Sequence, residues 1–206
     1  MSPSDLESDI AYMRGLAESG ERAPLIGGRY LLIWGGLAAL ACLAHWSILT
    51  GLAGLPDIAL PVLWAGYGMT GGILVAVFGR GLGRKPGARS IGNRVNRAAW
   101  VSVGLGIVLY VVGVAVSITA LDAPIFLYDT ILTVALFGYS IAFSVTASLS
   151  GQKWLFGPAW MSIAGAALSP AFLGKPELYL LAAGIIFFAA VIPAFRMIRN
   201  EPKAIV

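Results

Sequence analysis

The sequence predicts an all-α membrane protein, a polytopic bundle of about six transmembrane helices with a short amphipathic helix in front. Three observations carry this. Hydrophobic residues make up 58% of the 206 residues and charged ones 12%, against about 25% charged in ordinary soluble domains. Apolar stretches of about 20 residues recur six times, each enough to cross a hydrocarbon core of about 30 Å. None alternates apolar with polar residues, so the backbone groups must be satisfied within helices rather than in a barrel.

In chain order, residues 1–29 form a leader and linker. Ser4 with Glu7 makes a capping box, and Leu6, Ile10 and Met13 share one helical face. The acids Asp5, Glu7, Asp9, Glu18 and Glu21 outnumber Arg14 and Arg22, which suits docking on the protein's own basic loop or on a partner better than lying on anionic lipid. The acidic start is also unlike a cleaved signal peptide.

The transmembrane domain covers residues 30–198, with apolar runs at 30–51, 59–78, 98–120, 124–149, 155–173 and 178–195. Pro61, Pro124 and Pro158 fall near span starts, where the missing amide hydrogen is not needed. Pro193 lies inside the last run and is expected to kink it. A short tail, residues 199–206, follows.

Lysine and arginine separate the connections into two classes. The leader carries Arg14, Arg22 and Arg29, the loop 79–97 carries Arg80, Arg84, Lys85, Arg89, Arg94 and Arg97, and Lys153, Arg196, Arg199 and Lys203 fall on the same side. Thirteen of the 14 basic residues are thus together, and Lys175 alone lies opposite, with Asp57, Asp122 and Glu177. The positive-inside rule places both termini in the cytoplasm, and the expected location is a cell membrane, the bacterial inner membrane. The net charge of +4 is then a topology signal and not a nucleic-acid signal. The stretch from Gly79 to Lys85 lacks the Gly-Lys-Ser/Thr ending of a phosphate loop and follows no strand; contact with anionic lipid is its natural role.

Each pair of spans opens with a basic residue followed by tryptophan: Arg29 with Trp34, Arg97 with Trp100, Lys153 with Trp160. The second helices share small residues around Gly66, Gly138 and Gly184. Both suggest three repeated hairpins, although tryptophan and basic residues are common at any membrane interface.

The segments Asp9-Ile-Ala-Tyr-Met-Arg14 and Ala23-Pro-Leu-Ile-Gly-Gly28, leading into Leu32-Ile-Trp-Gly35, resemble uncharacterised six-helix bacterial inner-membrane proteins. In layout the chain is also similar to the acid-resistance membrane proteins built from three two-helix repeats. Neither resemblance implies a catalytic motif.

Few residues can carry chemistry. Cys42 is the one cysteine, so a disulfide within the chain or a cysteine-based metal site is excluded. With one histidine, His45, bis-histidine haem ligation is excluded as well. His45 with Asp57, Asp122 and Asp129 shows no metal-ligand spacing, and no cofactor is expected. Asp129 is the one acid expected inside a span, where a carboxylate at mid-depth costs roughly 2.5–3.5 kcal/mol and tends to face the bundle interior. Counting about 1.5 Å per residue from Tyr30 puts His45 about 22 Å across, and Asp129 lies at a similar depth counted from Pro124. They are the candidate polar pair, and the best site for proton-sensitive behaviour; the alternative is that both snorkel to water.

Thr130, Thr133 and Ser144 share a face of the fourth span and could line a polar path, while Tyr139 and Ser140 lie off that face. Gly68 and Gly72 form a small-xxx-small pair suited to close helix packing or a dimer seam. Two functions follow. The first is a non-catalytic sensor, stress or accessory protein, presenting its leader and basic loop to a cytoplasmic protein partner. The alternative is a small transport or channel protein using the path along the fourth span. No nucleophile-base constellation supports an enzyme; membrane lipid and a second copy are the remaining partners expected.

Overall fold

The structure, a computed structural model, describes residues 8–13, 15 and 24–201. Among them there is helix and no strand. The helices are α1 (Gly28–Leu49), α2 (Ala59–Phe78), α3 (Ile91–Ala120), α4 (Thr130–Ser150), α5 (Phe156–Leu168), α6 (Glu177–Ile186) and α7 (Ile192–Arg199). With their flanking turns they make six membrane-length apolar segments, Gly28–Leu49, Ala59–Arg84, Ile91–Ala120, Ile125–Ser150, Lys153–Phe172 and Glu177–Arg199. The chain is an all-α, multi-pass membrane bundle.

The spans do not pack in chain order. The last span, α6 with α7, lies between α1 and α5; α2 packs outside α1, α4 outside α5, and α3 outside α4. Burial follows that order: 56% of the last span's apolar window is buried, against 6% for the second and third spans. The last span is therefore the hub, and α2 and α3 are its rim.

Small residues make the hub possible. In lipid, apolar surface alone gives little helix association, so close backbone approach and van der Waals packing must supply it. A β-carbon on Gly35 would stand 2.8 Å from the Ala190 Cβ, and one on Gly28 would stand 2.9 Å from the Ala194 carbonyl oxygen. Ala38, Ala39 and Cys42 on α1, with Ala182, Ala183, Ala190 and Ala194 on the last span, are buried in one core cluster.

Pro193 acts through the turn before it. Residues Phe187–Val191 form a π turn, in which the Ile192 amide donates to the Phe187 carbonyl. A proline ring clashes with the carbonyl four residues earlier, and a π turn widens the helix at that place. The irregularity expected at Pro193 is thus taken up one turn upstream.

Several boundaries differ from the sequence expectation. Helix α3 begins at Ile91 rather than residue 98, because the Ser90 hydroxyl caps it by accepting from the Asn93 amide at 3.3 Å. The last seven residues of the expected basic loop, 91–97, are therefore helix. Asp129 ends a 3-10 turn, Ile125–Asp129, and precedes α4 instead of lying within it. Residues 8–13 are helical, but Ile10 and Met13 are 53% and 61% exposed. Two residues of the expected apolar face are thus exposed, and the third, Leu6, lies outside the described residues.

Polar side chains tie the basic end together. Buried Asn93 accepts from the Ile26 amide at 2.6 Å and donates to the Pro24 and Gly87 carbonyls, both at 2.9 Å. Glu201, with its side chain 2% exposed, meets Lys85 Nζ at 2.7 Å and Arg29 Nε at 3.5 Å. The Arg196 guanidinium lies 4.5 Å from the centre of the Trp154 ring, a cation–π contact.

Gly35→Ala should destabilise the bundle by about 1–3 kcal/mol, because overpacking forces two backbones apart. Gly72→Ala, where nothing lies within 4 Å, should be neutral or slightly stabilising. Unfolding in mixed micelles measures both.

Candidate functional site

A polar cluster inside the bundle lies near its acidic end, the end bearing Asp57, Asp122, Lys175 and Glu177. It is built on four spans. Helix α1 supplies His45, four residues before its end; α2 supplies Trp64, five residues after its start; α6 supplies Tyr179, two residues after its start. Asp129 stands where the 3-10 turn hands over to α4. Each count places its residue within about one and a half turns of the acidic end. The candidate pair and its two aromatic partners therefore share a depth.

The contacts run in series. Tyr179 donates its hydroxyl to Asp129 Oδ1 at 2.6 Å, and the Gly174 amide donates to Asp129 Oδ2 at 2.7 Å. The Tyr179 ring stacks on His45, with ring centres 3.5 Å apart and 21° between planes. On the other side, Trp64 Nε1 donates to His45 Nδ1 at 2.9 Å. Both carboxylate oxygens of Asp129 are thus satisfied, as a buried acid requires. The imidazole accepts at Nδ1, which fixes it as neutral with its hydrogen on Nε2.

His45 and Asp129 are 7% and 8% exposed, so both face the interior rather than lipid. They do not bond to each other. Spans one and four are separated by the last span, and Tyr179 bridges the gap. The aromatic series continues along α2, where Trp64 meets Tyr67 edge-on at 5.5 Å and Tyr67 meets Trp34 at 5.5 Å.

The other candidates fall elsewhere. The Thr130 hydroxyl bonds the Leu127 carbonyl at 2.6 Å and the Tyr110 hydroxyl of α3 at 2.9 Å. Thr133 pairs with Ser169, after α5, at 2.6 Å. These two tie α4 to its neighbours on either side, and half-buried Ser144 lies about three turns further along. They do not converge on a common path. Gly68 and Gly72 are exposed, with nothing within 4 Å of the place a β-carbon would occupy, which corrects their reading as packing residues of this bundle. Gly71 packs instead, directly beneath the Trp34 ring.

Trp64 and Tyr179 are the members of the cluster that the sequence did not single out. Depth alone is a signal for them, since each lies as far from the acidic end as His45 and Asp129. The azimuth that turns them inward has none. The chain matches no family model, curated protein or solved structure with which it was compared.

Tyr179→Phe should destabilise the protein by about 1–3 kcal/mol, because it leaves a buried Asp129 oxygen without a donor. Unfolding in mixed micelles, compared with Tyr128→Phe outside the cluster, tests this.

Proposed function

We propose that this chain is a non-catalytic membrane sensor or accessory protein of the bacterial inner membrane, with its termini and basic loop in the cytoplasm. In this reading His45 is its proton-responsive element. One observation carries the reading: the imidazole is the acceptor that fastens the rim helix α2, through Trp64, to the hub, through Tyr179.

The chemistry gives the sign of the response. A neutral imidazole offers one acceptor nitrogen; a protonated one offers none, because both nitrogens then donate. Lowering the pH therefore removes the acceptor for Trp64 Nε1, and the two N–H groups face each other. The other titratable groups on the surrounding elements are Tyr179 and Glu177 on α6, Asp129 before α4, Tyr67 on α2, Asp57 in the loop leading into α2, and Cys42 on α1 itself. The acids can hold the charged ring in place, but they cannot restore the bond to Trp64.

Loss of that bond acts on a weakly held element. Helix α2 leans on α1 and has only 6% of its apolar window buried. Its far end continues into the loop that carries Lys85 to Glu201. A shift of α2 at the acidic end would thus reach the basic loop and the tail, the surfaces available to a cytoplasmic partner.

The test is a distance measured between spin labels at the exposed loop positions Leu52 and Leu121, in a Cys42→Ala background in nanodiscs. The distance should change on acidification as one proton binds, and His45→Gln should abolish the change. No change with pH, or the same change in His45→Gln, would contradict the reading. The proposed orientation also makes a cysteine at Leu52 reactive toward a membrane-impermeant reagent outside intact cells.

A further inference from the structure

Residues of α1, of α2 and of the loop between them line a partly open groove of about 760 Å³. That volume is within the roughly 300–1,000 Å³ of small-molecule sites. Its walls are mainly apolar, with large side chains such as Leu37, Leu40 and Leu63 beside the small Ala41, Ala44 and Gly66. We propose that this groove is a lipid site, holding one acyl chain of a phospholipid with an ammonium headgroup.

Depth argues for an acyl chain. The α1 wall runs from Leu37 to Ile48 and the α2 wall from Ala59 to Thr70. At about 1.5 Å per residue each wall rises ~16 Å, which matches half of a hydrocarbon core of about 30 Å. The groove therefore extends through one leaflet, from mid-membrane to the acidic interface. Gly66 has open space where a side chain would stand, so no side chain fills the groove at that level.

Charge argues for the headgroup. The lining includes Leu55 and Ile58 of the loop that leads into α2, and exposed Asp57 lies between them in the sequence. The acidic end has three carboxylates, Asp57, Asp122 and Glu177, against the one cation Lys175 among the described residues. An ammonium headgroup at the acidic interface gains an opposite charge at Asp57, whereas a purely anionic headgroup meets repulsion.

The experiment uses the full chain reconstituted in nanodiscs of equal phosphatidylethanolamine and phosphatidylglycerol, then released into detergent for native mass spectrometry. The wild type should retain one phosphatidylethanolamine. Gly66→Leu, which fills the groove with a better helix former, should reduce that retention about tenfold, equivalent to about 1.4 kcal/mol. Gly72→Leu, on α2 but outside the groove, should leave it unchanged. Asp57→Asn should keep one bound lipid and lose the headgroup preference. The proposal is overturned if the wild type retains no lipid or retains both lipids equally. It is also overturned if Gly66→Leu and Gly72→Leu behave alike, or if Gly66→Leu breaks a dimer that carries no lipid. None of these outcomes depends on the pH response of His45.

Discussion

The close contact between α1 and the last span sets the position of nearly everything else in the molecule. At Gly28 and Gly35 the two backbones approach so nearly that a single added carbon would collide. These glycines are seven residues apart, as are Ala190 and Met197 opposite them, so the contact repeats every two turns along two antiparallel helices. Continued toward the acidic end, the same face of α1 reaches buried Cys42 and then His45 stacked on Tyr179. Followed the other way, it leads to Arg29 beside Glu201. The polar cluster and the basic-end ion pair are thus the two ends of one small-residue seam.

Membrane physics explains why these ends are polar and the middle is not. Mid-bilayer offers no water to an unpaired group, so van der Waals contact between small residues must serve there. Nearer the interfaces a carboxylate costs less, provided its oxygens are occupied. Asp129 meets that condition with two donors. Glu201 has Lys85 and Arg29 on Oε2, while its Oε1 is buried without a hydrogen-bond partner among the described residues. The acidic-end cluster is therefore the more completely satisfied of the two. It is also the one that joins a rim helix to the hub through a group able to change charge.

The sequence made the span count and class legible because bilayer thickness fixes the length of apolar runs. Depth was legible for the same reason: a count along each helix put His45 and Asp129 at one level. Azimuth and neighbour order were not. Nothing in the local pattern of α1 or α4 shows that the last span inserts between them, because that arrangement depends on glycines and alanines distributed over helices more than a hundred residues apart. The same limit explains Gly68 and Gly72, whose spacing matches a packing motif while Gly71, one residue away, is the glycine turned toward Trp34. Helix ends were obscured by polar capping, since Ser90 and Asn93 extend α3 well beyond its apolar run.

The acidic-end cluster turns on Tyr179, which couples two polar residues that do not touch. A double-mutant cycle on His45→Phe and Asp129→Asn, read by unfolding in mixed micelles, measures that coupling. With Tyr179 present it should amount to about 0.5–3 kcal/mol, the range found for members of one contact network, and it should disappear in a Tyr179→Phe background. Additive effects with Tyr179 in place, or the same coupling after its hydroxyl is removed, would show that Tyr179 does not join them.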